Sequence, residues 1–272
     1  EYHLAVPQVY LTAGGWVAMP LNVYAGFPMN AEMLYLWPLA LQSSAGCTVI
    51  NGVLALVGAL ALLPLGRRWG IQANPLLAPL IFLSTAFVLK LIVQANIDLA
   101  LTAAAAILFL AYERYRQDAS RLDGVMLALA LGFALGAKYI AILSILFPLT
   151  AVVLYDICIS REWRRGVGVS LFMLGGGLLF VPWLIRNQWL YANPFYPLLF
   201  SWFGGEPAFY SDLFRAAHAA PLLSPWQQVS LFFTIPLQKT VGSQHLAGFS
   251  LLGLAGLPVF YSERTHHPAW RG

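Results

Sequence analysis

Charge is what this chain has least of. Only 10% of its 272 residues are Asp, Glu, Lys or Arg, while 60% are apolar. Soluble domains carry about 25% charged and roughly 45–50% apolar residues, so there is too little charge here to cover the surface of a soluble globule. A mean hydropathy of +0.71 agrees. Composition therefore excludes a soluble enzyme, a disordered tail and a nucleic-acid-binding domain, and indicates a polytopic membrane protein. The net charge of +4 fits basic cytoplasmic loops better than an affinity for nucleic acid. Cysteine is nearly absent as well. Cys47 and Cys158 stand apart in or beside apolar runs, with no CxxC or His/Cys cluster, so neither a disulfide framework nor a zinc site is indicated. Walker, GxGxxG, HExxH and GxSxG motifs are all missing, which removes nucleotide-binding, zinc-protease and serine-hydrolase chemistry.

What the chain does have is long hydrophobic runs. A crossing needs about 20 mostly apolar residues, and 46–66, 76–93 and 167–185 are the clearest candidates, followed by 97–112 and 246–261. The run 124–157 is interrupted by Lys138. As one helix it would reach about 50 Å, too long for one crossing and enough for two short ones, 124–138 and 139–157. Four arginine clusters lie between these runs: Arg67/Arg68, Arg114/Arg116/Arg121, Arg161/Arg164/Arg165 and Arg264/Arg271. Arg-rich short loops stay in the cytoplasm, which gives an all-α bundle of about seven crossings. Residues 1–262 then form one membrane-embedded domain with outer loops at 1–45 and 186–245, and 263–272 begin a cytoplasmic segment. The chain opens at Glu1 without a Met and closes in a polar stretch, which reads as a fragment that one more helix precedes.

The same parity gathers the remaining cations, Lys90, Lys138, Arg186, Arg215 and Lys239, at or near the outer face, where the rule disfavours them. An anionic ligand is one reason for their presence. Segment 225–237 is too short to cross and reads as an interfacial helix. The aromatic, proline-punctuated stretch 189–210 reads as a loop at headgroup depth or a plain aromatic belt.

The polar residues that stand out each have two readings. His3 is an interfacial hydrogen-bonder or an acceptor-contacting group. Asn30 is expected as a helix N-cap, with Glu32 either a first-turn acid or a cavity carboxylate. Asp98 is a helix-start charge or a functional acid among apolar helices. Lys138, just after Gly132-x-x-x-Gly136, is a snorkelling lysine or, with Arg186, a grip on a lipid phosphate. Gly175–Gly177 reads as helix packing, and His266/His267 as polar tail.

Five segments carry a family resemblance: Tyr2–Pro7 with the turn that follows, Phe27–Tyr35, Asp98–Ala100, Gly136–Tyr139, and Arg186/Asn187 leading into Tyr191–Pro197. Together they resemble the GT-C glycosyltransferases of the protein-mannosyltransferase and aminoarabinose-transferase type. The resemblance implies an inverting enzyme of the inner or plasma membrane whose active site faces outward. It would move a sugar from a polyprenyl-phosphate donor to a lipid, glycan or protein acceptor, surrounded by membrane lipids and with no nucleic acid involved. It implies a catalytic carboxylate just ahead of Tyr2, for which Glu1 is a stand-in, with His3 and Glu32 in the same cavity. Lys138, Tyr139, Arg186, Asp98, Asn193 and Tyr196 would bind substrate. A divalent cation is the one cofactor the resemblance brings into view. A secondary transporter of an anionic or lipid-linked substrate is the rival reading, since it too would hide Asp98 and Lys138 among apolar helices.

Overall fold

The computed structural model describes residues 2–68, 74–159 and 162–205. The expected features at Glu1, Arg161, Arg215, 225–237, Lys239, 246–261, Arg264, His266/His267 and Arg271 lie outside them. Among the described residues every regular element is helical. In chain order the α-helices are α1 (Tyr2–Ala13), α2 (Asn30–Leu34), α3 (Leu36–Ala40), α4 (Ser44–Arg68), α5 (Leu77–Ser84), α6 (Ala86–Val93), α7 (Asp98–Asp118), α8 (Arg121–Ala137), α9 (Phe147–Cys158), α10 (Trp163–Leu178), α11 (Val181–Tyr191) and α12 (Phe200–Phe203).

The long helices run back and forth between two ends. α4 and α7 are parallel neighbours, with Gly58 lying against Ala103. α7 and α8 form an antiparallel pair around a tight turn, in which Ala119 takes a left-handed conformation at φ 49°. α8 and α10 are parallel and very close. A Cβ on Gly132 would fall 2.6 Å from the Gly176 carbonyl oxygen, and one on Gly176 would fall 2.6 Å from that of Ala128. The expected packing role of the glycine triplet therefore belongs to Gly176 alone, because Gly175 and Gly177 face open space. Leu108, Leu127, Leu131 and Leu149 are fully buried where α7, α8 and α9 meet.

Two helices, Ser44–Arg67 and Trp163–Tyr191, are long and apolar enough to cross a membrane. The second comprises α10 and α11. On α4 the residues Val49, Val53, Leu56 and Leu60 form an exposed stripe at helical spacing, and Leu171, Leu174, Leu178 and Ile185 are exposed on α10 and α11. Aliphatic stripes of that size facing outward suit a hydrocarbon surround rather than water.

The expected helix over 76–93 is broken in two. Thr85 is extended at ψ 125° between α5 and α6. The hydroxyls of Ser84 and Thr85 both donate back to the Ile81 carbonyl, at 3.2 and 2.8 Å, and so compete with the helix ladder. The chain then bends by 118° between α6 and α7. The interruption at Lys138 falls where the sequence places it. α8 stops at Ala137 and Lys138 is extended, with φ −161° and ψ 134°. Beyond it a π-helical stretch, Ile142–Leu146, leads into α9, whose second residue is Pro148. A proline lacks an N–H and crowds the preceding turn, and a widened turn relieves that.

At one end, two arginines of the second cluster rest on buried acids. Arg114 Nε donates to Asp123 at 2.6 Å, Arg116 reaches Asp156 at 3.1 Å, and the Tyr112 hydroxyl donates to Asp156. Asp123 and Asp156 are both buried. This end is therefore pinned by ion pairs across α7, α8 and α9, a role that loop composition alone did not reveal.

Candidate functional site

The other end of the bundle collects the polar residues. Three short pieces, α1, a 3-10 turn at Val23–Gly26 and α2, lie over the ends of the long helices. Close approach is possible because two positions carry no side chain. A Cβ on Gly136 would fall 2.1 Å from the Asn30 side chain, and one on Gly26 would fall 2.1 Å from the Tyr196 ring. Asn30 is not the helix cap that its position suggests. Met29 occupies the N-cap of α2, while Asn30 donates to the Phe133 carbonyl at 3.3 Å and accepts from Trp183 Nε1 at 2.7 Å. It stitches α2 to α8 and α11, and that serves the site more than a cap would.

Glu32 is 1% exposed, and its Oε1 meets His3 Nδ1 at 2.8 Å. Its other oxygen, Oε2, is buried without a hydrogen-bond partner. Burial drives the carboxyl pKa above the ordinary value, while the His3 hydrogen bond and the Lys138 charge oppose the shift. The acid therefore belongs to a buried pair and does not merely complement a helix dipole. Burial also raises Tyr10, against the pull of the Arg186 charge, and raises Tyr35, with the Glu32 charge adding to the effect.

Lys138 and Asp98 stand at the facing ends of α8 and α7. They form an ion pair at 2.8 Å, with each side chain about one-third exposed. Arg186 is 1% exposed. Its guanidinium stacks over Trp183 at 4.6 Å, donates to the Phe27 carbonyl at 3.1 Å and grips Asn187 Oδ1. Nη1 is left buried without a partner. The expected pair of open cations thus takes a different form: Lys138 is held by a neighbouring carboxylate, and Arg186 is an interior cation with one donor to spare.

The remaining expected residues build the frame. Asn187, fully buried, faces the Gly26 carbonyl at 2.8 Å, the Tyr196 carbonyl at 3.0 Å and the Tyr139 hydroxyl at 3.2 Å. The Tyr139 hydroxyl in turn donates to the Tyr196 carbonyl at 3.2 Å. The Tyr196 ring stacks on Tyr191 at 4.1 Å. Asn193 directs its amide to the carbonyls of Leu198 and Gly204 at 2.9 and 3.1 Å, and its oxygen accepts from the Phe195 N–H. It therefore organises its own loop. A divalent cation does not fit the described residues. No three of His, Cys, Asp and Glu converge among them, and the two nearby acids are committed to His3 and Lys138.

Sequence reasoning missed the support of the helix break. The buried Asn51 amide donates to the carbonyls of Leu91 and Gln94, and Tyr35 donates to Asn51 at 2.7 Å and to the Asn96 carbonyl at 3.1 Å. The signal was an asparagine in the middle of an otherwise apolar helix. Beside this break lies a pocket of about 250 Å³ lined by His3, Leu4, Gln94, Ala95 and Asn96.

No curated protein matches this chain, and no solved structure does. One family model does, over residues 40–205. That stretch contains Asp98, Lys138, Arg186, Asn193 and Tyr196, while His3 and Glu32 precede it. It takes in more than half of the 272 residues, and the chain belongs to the family described as Domain of unknown function (DUF8201).

Proposed function

We propose that the chain is a multi-pass glycosyltransferase of the inner or plasma membrane, taking a sugar from a polyprenyl-phosphate carrier to an acceptor at the outer leaflet with inversion. In this reading α4, α5 with α6, α7, α8, 139–158 and α10 with α11 are six crossings, and 246–261 supplies a seventh. The single observation that carries the proposal is the collection, at one end of an apolar bundle, of a buried carboxylate–imidazole pair, a lysine tied to an aspartate, and an interior arginine with a free donor. The arginine-pinned end lies opposite. Transfer from a lipid phosphate needs such unlike parts together: cations for the charge that grows on the leaving phosphate, and an acid–base group for the hydroxyl that attacks.

Lys138 exchanges Asp98 for the phosphate, and Arg186 Nη1 adds a second charge-assisted donor from behind. Asp98 keeps the lysine neutralised between turnovers. Anchoring the anionic leaving group in the bilayer explains why no nucleotide motif is needed. The test is incubation of the full-length protein with polyprenyl-phosphate sugars, reading transfer and the released polyprenyl phosphate by mass. Transfer is expected from the wild type and strongly reduced transfer from Lys138→Ala and Arg186→Ala. Undiminished transfer in both variants refutes this phosphate site.

A secondary transporter remains the second reading, because the 118° bend between α6 and α7 resembles the broken helices that line transport sites. Uptake of an anionic solute by vesicles carrying the protein, with no release of polyprenyl phosphate, favours it.

A further inference from the structure

We propose that His3 is the group that takes the acceptor's proton, and that the pocket in front of it receives a sugar or other polyol hydroxyl. This inference rests on the transferase reading above and says which member of the carboxylate–imidazole pair is the base. It is the histidine carried on α1 and braced by Glu32, where the family resemblance implies a carboxylate ahead of Tyr2.

The argument starts from the ring. Nδ1 of His3 lies 2.8 Å from a buried Glu32 oxygen. With Glu32 ionised, that contact fixes the proton on Nδ1 and leaves the Nε2 lone pair free. Nε2 has no hydrogen-bond partner among the described residues, and His3 is a wall of the 250 Å³ pocket. A carboxylate behind an imidazole makes proton uptake at the far nitrogen more favourable, because the imidazolium that forms is met by a full negative charge. Glu32 is suited to that part: it is almost fully buried, and Oε2 has no competing donor.

The pocket wall names the acceptor class. The same wall carries two amides, Gln94 and Asn96; the Asn96 oxygen accepts from the Asp98 N–H, which leaves its NH2 and the Gln94 amide to meet adjacent hydroxyls on a sugar. At 250 Å³ the space falls below the roughly 300–1,000 Å³ of drug-sized sites and suits a single ring. Its shape is set in advance. The backbone at the break is pinned by Asn51 at the carbonyls of Leu91 and Gln94, and by Tyr35 at that of Asn96.

Glu32 on α2 is the charged group bonded to the imidazole, and the Lys138 charge acts on Glu32. The Tyr2 ring covers the imidazole at 3.9 Å, with Tyr24 stacked on Tyr2. In the step itself the hydroxyl proton passes to Nε2 while the oxygen bonds to the anomeric carbon. The carbon–oxygen bond to the lipid phosphate breaks, and its electron pair stays on the phosphate oxygen. His3 then returns its proton to water.

Two measurements on the full-length protein in nanodiscs test this. In ¹⁵N-histidine NMR at neutral pH, the His3 signal (the one lost in His3→Gln) should show a protonated Nδ1 and a bare Nε2. A proton on Nε2 overturns the proposal whether or not transfer is observed. In transfer from polyprenyl-phosphate sugars, His3→Gln should lower kcat by about 10²-fold or more while binding of polyprenyl phosphate alone is unchanged. His3→Ala should be partly rescued by added imidazole, which a misfolded variant would not be. Glu32 is a positioning residue, so Glu32→Gln should lower kcat with little change in KM and release the proton from Nδ1 in the His3 NMR signal, and Glu32→Asp should restore both. Wild-type transfer that survives His3→Gln overturns the base and leaves the transferase reading standing. Absence of wild-type transfer overturns both.

Discussion

Alanine at Gly176 should destabilise the bundle, while alanine one residue to either side should not. The Cβ added at Gly176 meets the Ala128 carbonyl oxygen at 2.6 Å and the Ala128 carbonyl carbon and Cα at 3.3 Å, all of them backbone. No rotamer change relieves such a contact, so α8 and α10 must separate. Overpacking of this kind costs about 1–3 kcal/mol. At Gly175 and Gly177 nothing lies within 4 Å of the added Cβ, so replacing glycine by alanine in a helix should return about 1 kcal/mol. The difference between neighbours is then about 2–4 kcal/mol. At roughly 2–4 °C per kcal/mol for a chain of this size, their melting temperatures should differ by about 4–16 °C. The assay is thermal unfolding of each variant in the same detergent, followed by helical circular dichroism. The contact matters to the site because α8 delivers Lys138 and α10 leads into Arg186. If Gly176→Ala melts with Gly175→Ala and Gly177→Ala, α8 and α10 do not meet as described.

Four further outcomes follow from other contacts. Asn51→Leu leaves the carbonyls at the helix break without their donor and should cost about 1–3 kcal/mol in chemical unfolding, with Tyr35→Phe costing less. Asp156→Ala removes the shared acceptor of Tyr112 and Arg116 and should cost about 1–3 kcal/mol. Arg114→Ala leaves the buried Asp123 carboxylate without this donor and should likewise cost about 1–3 kcal/mol. Glu32 sets a pH dependence whose sign is fixed by its raised pKa. The folded state holds the proton more tightly than the unfolded chain, so this group's contribution is fully present below the ordinary carboxylate pKa. It is lost as pH rises through the folded value. Wild type should therefore lose stability relative to Glu32→Gln as the pH is raised from 4 to 8, and a constant difference across that range refutes the assignment.

The patterns legible in the sequence are those with a local cause. Apolar runs give helices, Lys138 after Gly136-Ala137 marks a break, and arginines collect at one end because the runs between them alternate in direction. The Gly132/Gly136 spacing announces close approach, although only Gly132 meets another long helix, α10, and Gly136 makes room for Asn30 at the start of the short α2. What could not be read depends on partners far along the chain. His3 and Glu32 are 29 positions apart, Asp98 and Lys138 are 40 apart, and Asn30 and Trp183 are 153 apart. No local periodicity encodes such pairs. The same applies to the burial of Arg186, whose stem looks like any basic residue at a helix end until the 3-10 turn at Val23–Gly26 is folded over it. The split between α5 and α6 had a weak local sign in Ser84-Thr85, which hydropathy alone overrode.

The central claim is that the helix break, Lys138 and the end of α11 share one exterior face, opposite the arginine end. Single cysteines at Gln94, Gln188, Asp118 and Arg121, all exposed, test it in a Cys47→Ala/Cys158→Ser background with a membrane-impermeant maleimide on intact cells. The account predicts that positions 94 and 188 label at once, and that 118 and 121 label only after the membrane is opened. Labelling of 94 and 188 from opposite sides, or of either together with 118, contradicts it.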